Sequence, residues 1–121
     1  MCYEVYDMLR RVLGVAVAVA LAVACASPTL PLPPPETPVI SAGPDKDHVR
    51  LAGAGVEPKA AVVVENLNPN VPGDEAVSGA FATEYGQWDC TVYAHVGDTL
   101  SITQEQGTTR SQSTIVVVHL P

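Results

Sequence analysis

Residues 87–94 read QWDCTVYA, and this stretch decides the fold. Every second side chain is apolar, namely Trp88, Cys90, Val92 and Ala94. The positions between them carry Asp89, Thr91 and Tyr93. Because successive side chains of a strand point to opposite faces, this alternation predicts a half-buried β-strand whose apolar face belongs to the core.

The turns on either side of this stretch predict strands before and after it. Glu84-Tyr85-Gly86 predicts a tight hairpin, with Gly86 supplying the positive φ that a three-residue loop needs. Gly97 and Asp98 predict the next turn, and the apolar alternation resumes after it. Residues 115–118 are apolar on both faces, which predicts a last strand that is central or covered by the proline-rich segment.

The chain from Val39 onward consists of short β-rich runs separated by Gly, Pro, Asn and Asp. We predict strands at residues 39–42, 48–52, 60–66, 79–83, 87–94, 99–104 and 113–120. No stretch in this region has a helical period. Short strands at this spacing predict an all-β domain, a small β-sandwich of about seven strands over residues 39–121.

Several turn and strand motifs of this region resemble those of bacterial Ig-like domains found in secreted and surface proteins. They are VRLAGAGVEPKA at 49–60, the strand at 62–66, GQW at 86–88, GDTL at 97–100 and a polar turn at Gly107. The resemblance covers most of residues 39–118 and implies a single Ig-like sandwich. Such a domain is expected to act as a structural, binding or adhesion module.

The amino-terminal segment has the order of a secretory signal peptide. Residues 10–25 read RRVLGVAVAVALAVAC, with two arginines, an unbroken apolar run at 12–24 and a boundary of small residues. The run is short for a membrane helix, which needs about 20 apolar residues. Glu4 and Asp7 offset the arginines, so initiation at Met8 would give a purely basic start. Residues 1–24 are therefore expected to be a removable leader.

The end of the leader resembles a bacterial lipobox. LAVAC at 21–25 predicts that Cys25 is acylated and becomes the first residue after cleavage. The protein is then exported and lipid-anchored in the cell envelope, and in the outer membrane if the cell is Gram-negative, because no Asp follows Cys25 in second position. Ala22-Val23-Ala24 also fits ordinary signal cleavage and soluble secretion. An uncleaved membrane anchor is the third alternative.

The residues between the leader and the first strand are rich in proline. Residues 26–38 read ASPTLPLPPPETP and contain six prolines. Together with Cys25 they are expected to form a semi-rigid stalk, which at ~3.1 Å per residue reaches ~40 Å.

Composition narrows the classes of partner. The formal net charge is −7, with the acids scattered downstream of the leader, so nucleic acid is not an expected partner. Any membrane association is expected to come from Cys25, with an envelope protein or polysaccharide as the further partner. The three cysteines, Cys2, Cys25 and Cys90, do not form a disulfide framework, and Cys90 is expected to be a small buried hydrophobe.

Two groups of residues suggest a metal-binding site, one for copper and one for calcium. His48, Cys90 and His95 have the order of blue-copper ligands, but no Met follows and two further strands come after Cys90. Acids that could bind calcium are Asp45, Asp47, Asp74, Glu75 and Asp98. Their spacing matches no calcium loop, so solvated turn acids are the favoured interpretation.

No nucleophile elbow, paired carboxylates or catalytic triad can be assigned from the sequence. The sequence therefore predicts a protein that is not an enzyme and has no cofactor, no metal and no catalytic residues. The alternative from another class is a small exported soluble β-sandwich that binds a metal or catalyses a reaction.

Overall fold

The structure, a computed structural model, describes residues 31–121, which form an all-β fold. In this part of the chain the strands are β1 (Val39–Ala42), β2 (His48–Gly53), β3 (Ala61–Asn66), β4 (Val77–Phe81), β5 (Trp88–Tyr93), β6 (Thr99–Gln106), β7 (Thr109–Arg110) and β8 (Thr114–Val117). A 3₁₀ turn, Gly73–Glu75, lies between β3 and β4. The predictions of a leader at 1–24 with initiation at Met8, of an anchor at Cys25 and of a stalk at residues 26–30 lie outside the described residues.

Two antiparallel sheets make up the domain. The first sheet has the order β1-β2-β5, and in the second the order is β4-β3-β6, with both β7 and β8 paired to the far edge of β6. Leu51 lies opposite Cys90 in the first sheet, and Val64 lies opposite Ile102 in the second. The all-β prediction is confirmed, and the arrangement is that of a β-sandwich.

The core lies between the sheets and contains the apolar face predicted for 87–94. The buried apolar residues include Val49, Leu51, Val62, Val64, Trp88, Cys90, Val92, Ala94, Leu100, Ile102, Val116 and Val118. On β5, Asp89 and Thr91 are exposed between buried neighbours. The predicted face of this strand is therefore confirmed, and Cys90 packs as a small core residue.

The ends of the predicted strands differ from the structure by up to three residues, and three differences bear on the fold. β4 begins two residues earlier than predicted, at Val77. β7 was not predicted. It forms because the chain reverses direction at Gly107, where φ is 61°, so that Arg110 pairs with Glu105 of β6. β8 is an edge strand, and Ile115 and Val117 are 56% and 54% exposed, so the last strand is neither central nor covered on its outer face.

The connection at residues 84–86 is tight but does not form the predicted hairpin. Gly86 has a φ of 74°, as expected, and the Thr83 N–H donates to the Gln87 carbonyl at 2.8 Å. However, β4 pairs with β3 and β5 pairs with β2, so the connection crosses from one sheet to the other. The hairpin prediction is wrong because a tight turn fixes a local reversal and does not determine which neighbour each strand pairs with.

The carboxyl end of the proline-rich segment packs on the sandwich instead of projecting from it. Pro35 and Pro38 are buried. The Gln104 side chain donates from Nε2 to the Pro33 carbonyl at 2.8 Å, and Thr114 Oγ1 donates to the Pro35 carbonyl. The compact unit runs from Pro31 to Pro121. The expectation of a free spacer therefore does not hold for residues 33–38.

This packing predicts a difference between two shortened chains. A chain that begins at Val39 is expected to be about 1 to 3 kcal/mol less stable than one that begins at Pro31, because the buried Gln104 amide loses an acceptor. Urea denaturation of the two proteins measures the difference. Neither protein carries the leader or Cys25, so an equal free energy of unfolding would show that residues 31–38 contribute nothing to the fold.

Candidate functional site

Two histidines, a tyrosine and three carboxylates gather at one end of the sandwich. His48 begins β2 and lies directly opposite Tyr93, which ends β5, in the register of the first sheet. His95 follows two residues after Tyr93. We call the whole group the histidine cluster; its members are Asp45, Asp47, His48, Glu75, Tyr93 and His95.

His48 contacts a carboxylate through each of its ring nitrogens. Nδ1 lies 2.7 Å from Asp45 Oδ1, and Nε2 lies 3.1 Å from Glu75 Oε1. Hydrogen bonding to Asp45, and then to Glu75, raises the pKa of His48 above its usual value, against a smaller opposing effect of burial. The same bond to His48 is the main reason that the pKa of Asp45 is lowered. The charged form of the imidazole is therefore favoured here.

Tyr93 separates the two imidazoles. Its ring centroid lies 5.5 Å from that of His48 and 5.3 Å from that of His95, and both contacts are edge to face. Burial, followed by the negative charges of Asp47, Glu75 and Asp98, raises the pKa of Tyr93. Its hydroxyl therefore stays neutral where histidines titrate.

The second histidine has its own carboxylate partner. His95 Nε2 lies 2.9 Å from Asp47 Oδ1. The backbone of Asp47 is held in place because its carbonyl accepts a hydrogen bond from the Ala94 N–H at 3.1 Å. Both histidines of the cluster are thus paired with acids of the β1–β2 loop, and only His48 also contacts the 3₁₀ turn.

Asp98 lies beside the cluster and is a buried structural carboxylate. It accepts hydrogen bonds from Asn66 Nδ2 at 3.0 Å, Asn68 Nδ2 at 2.7 Å and the His95 N–H at 2.9 Å. Burial alone would raise the pKa of Asp98, but these hydrogen bonds outweigh burial and lower it. The interpretation of Asp98 as a solvated turn acid is wrong, because its partners come from β3 and from the loops around it.

The structure separates the residues that suggested copper. The Cys90 side chain points into the core, whereas His48 lies on the opposite face of the first sheet. Burial, and then the charge of Asp89, raises the pKa of the Cys90 thiol. Within residues 31–121 no group of three or more His, Cys, Asp or Glu side chains has the arrangement needed to hold a metal ion. Asp45, Asp47 and Glu75 of the suggested calcium set instead contact histidines.

A cleft of about 630 Å³ lies at the opposite end of β5. Its lining includes Phe81, whose side chain is 80% exposed, and the acids Glu36 and Asp89. Trp88 forms part of the wall, and its indole packs against Gly53, where an added Cβ would lie 2.3 Å from Nε1. Trp88 Nε1 is buried and has no hydrogen-bond partner among the described residues. The cleft therefore offers an aromatic surface and negative charge.

An apolar groove of about 660 Å³ runs between the edges of the two sheets. Val39 and Ile40 of β1 form one side, and Ile115 and Val117 of β8 form the other. No basic or acidic residue lines it apart from His119. The cleft and the groove are both concave surfaces that a partner could contact, and sequence patterns indicated neither of them.

Residues 31–121 thus define a small all-β sandwich with charged and apolar surface sites. This part of the chain contains no helix with the length and hydropathy needed to cross a membrane. Comparison with family models, curated proteins and solved structures gives no match.

Proposed function

We propose that the protein is a cell-envelope lipoprotein that displays one Ig-like domain as a binding or structural module. The observation that carries this proposal is the order of features in the chain. A segment with the pattern of a leader ends in LAVAC at 21–25, a proline-rich segment follows at 26–38, and residues 31–121 form a single compact β-sandwich. An acylated Cys25 would hold the domain at the membrane surface.

The strand order supports an Ig-like domain. In the constant-type immunoglobulin arrangement, strands A, B, E and D share one sheet and C, F and G share the other. Here β1, β2 and β5 take the places of A, B and E, and β3, β6 and β8 those of C, F and G. The fourth strand differs, because β4 pairs with β3 and so belongs to the second sheet. The order of the remaining strands is what supports the proposal of an Ig-like domain.

The spacer in this proposal is short. Because residues 33–38 pack on the sandwich, only the seven residues 26–32 remain between Cys25 and the domain. At ~3.1 Å per residue they would reach ~20 Å in an extended polyproline conformation. The domain would therefore sit close to the headgroups, and its partner would be another component of the envelope.

Binding is favoured over catalysis by the character of the exposed surfaces. The cleft has an exposed Phe81 beside two carboxylates, and the groove between β1 and β8 is apolar. An envelope protein or polysaccharide would suit such surfaces, and the net charge of −7 disfavours nucleic acid. The domain then acts through contact and has no catalytic residue.

Replacing the anchor residue tests the proposal. Cys25→Ser is expected to move the protein from the membrane fraction to the soluble fraction, because the acyl chains lose their attachment atom. Ser27→Ala, which leaves Cys25 in place, is the matched control and is expected to stay in the membrane fraction. Fractionation and mass spectrometry of the mature protein provide the measurements.

Two outcomes would contradict the lipoprotein proposal. One is a Cys25→Ser variant that stays with the membranes, and the other is a wild-type protein without acyl mass on Cys25. A soluble product cut after Ala24 would support the exported soluble alternative.

A further inference from the structure

The contact between His48 and Glu75 connects the two sheets at the end where the histidine cluster lies. His48 belongs to β2 of the first sheet, whereas Glu75 ends the 3₁₀ turn that joins β3 to β4 in the second. Within residues 31–121, this contact is the only hydrogen bond between the 3₁₀ turn and the first sheet. Its loss would free the turn from the other half of the sandwich.

The geometry around His48 matches a doubly protonated ring beside two ionised carboxylates. A neutral imidazole has one N–H, and an ionised carboxylate can only accept a hydrogen bond. Here both ring nitrogens lie within hydrogen-bonding distance of carboxylate oxygens, at 2.7 Å from Asp45 and 3.1 Å from Glu75. Both bonds can exist together only when each nitrogen carries a proton, so the arrangement is that of the imidazolium.

We propose that His48 is a pH-sensitive latch, which in its protonated form ties the 3₁₀ turn Gly73–Glu75 to the first sheet and on deprotonation releases it. The latch is a property of the folded domain and does not depend on whether Cys25 is acylated.

The two bonds of the latch are unequal, and this decides which one is lost. Asp45 is three residues from His48, and its Oδ1 also accepts the Asp47 N–H at 2.9 Å, which keeps that carboxylate in place. The proton that remains on a neutral His48 therefore stays on Nδ1. Nε2 then presents a lone pair to the Glu75 carboxylate, and the contact between them becomes repulsive.

The released segment is limited by bonds on both sides. Before it, the Asn68 side chain donates to Asp98 at 2.7 Å. After it, the Ala76 carbonyl accepts the Asn66 N–H at 2.8 Å. Neither bond involves a histidine side chain. Deprotonation of His48 would thus free residues 69–75 while β3 and β4 remain paired.

The direction of the pH response follows from the charges that face His48. Asp45 comes from the β1–β2 loop, Glu75 from the 3₁₀ turn and the neutral Tyr93 from β5, with the Asp47 and His95 pair beyond Tyr93. The two carboxylates in contact raise the pKa of His48 above 6.5. The latch is then closed while His48 is protonated and opens as the pH rises through this raised value.

The test follows His48 and the turn together by NMR on the full chain. Nitrogen shifts of the imidazole report its protonation, and hydrogen exchange of the Glu75 amide, which donates to the Pro72 carbonyl at 2.9 Å, reports release of the turn. We expect that the exchange of this amide, corrected for its intrinsic pH dependence, accelerates at the same pH at which His48 loses its proton.

Two neighbouring acids provide a matched pair of variants. Glu75→Gln removes the partner charge and is expected to lower the pKa of His48 and to abolish the pH response of the turn. Asp74→Asn removes an equal charge one residue away, from an exposed side chain that has no hydrogen bond to any residue within 31–121, and is expected to change neither. His48→Gln is expected to leave exchange at the turn fast at every pH.

Three results would overturn the latch. The first is a pKa of His48 that falls by the same amount in Glu75→Gln and in Asp74→Asn. The pKa would then depend on the total negative charge nearby and not on the contact with Glu75. The second is exchange at Glu75 that does not follow the titration of His48. The third is a pKa of His48 at or below the usual value for histidine, since the two carboxylates would then not hold the ring in its charged form.

Discussion

Trp88→Ala is expected to lower the free energy of unfolding by about 3 to 5 kcal/mol, the usual cost of truncating a buried tryptophan. Trp88 is the only tryptophan of the chain, is 4% exposed and lies at the start of β5 in the core. Small domains are stable by only about 5 to 15 kcal/mol, so much of the variant should be unfolded in low urea. Urea denaturation followed by circular dichroism measures the loss.

Two further variants separate burial from the other properties of this side chain. Tyr93→Ala lies on the opposite, partly exposed face of the same strand and is expected to cost less. Trp88→Phe keeps an aromatic ring in the core and removes an N–H that has no partner among the described residues, so its loss is expected to be smaller than that of Trp88→Ala. Small and equal losses for Trp88→Ala and Tyr93→Ala would show that the face of β5 has been assigned incorrectly.

The parts of the fold that depend on local physics could be predicted from the sequence. The bounds of β1 agree with the prediction, and the alternation on β5 placed Trp88, Cys90 and Val92 in the core. Both results follow from the period of side chains along a strand, which is set within a few residues. The positive φ of Gly86 was predictable for the same reason, because a tight turn demands it locally.

What the sequence did not reveal are contacts between distant segments. Gln104 finds its acceptor at Pro33, 71 residues away, so a proline run that looks like a free spacer becomes part of the domain. The pairing of β4 with β3 was hidden for the same reason, since the turn at 84–86 contains no information on the partner strand. Periodicity describes one strand at a time, whereas these features depend on which strands meet.

The candidate site shows the same limit. His48 and Tyr93 are adjacent only because β2 and β5 pair in a particular register, and Glu75 reaches His48 from the other sheet. The sequence groups the acids of this region only as possible calcium ligands, and nothing in their spacing indicates that they pair with histidines. Asp98 could not be identified as buried because its amide partners, Asn66 and Asn68, lie about 30 residues earlier.

Gly86 combines two constraints that a methyl group would violate. Its φ of 74° lies in the left-handed region, which L-residues other than glycine rarely adopt. An added Cβ would also lie 2.2 Å from the carbonyl oxygen of Val56, and backbone atoms cannot move aside as a flexible side chain can. Gly107 has a similar φ of 61°, but nothing lies within 4 Å of its added Cβ. A substitution at Gly107 therefore tests backbone strain alone, whereas the same substitution at Gly86 adds a steric clash.

Gly86→Ala is expected to lower the free energy of unfolding by about 2 to 5 kcal/mol, the sum of left-handed strain and overpacking. Gly107→Ala carries the strain alone and is expected to lose about 1 to 2 kcal/mol. Urea denaturation of both variants beside the wild type gives the comparison. The difference between the two losses measures how rigidly the backbone holds Gly86 against Val56. If the backbone could move these two residues apart, the added methyl group would no longer clash with the Val56 carbonyl oxygen. Equal losses in the two variants would therefore show that the crossing between the sheets at 84–86 does not rest on Val56.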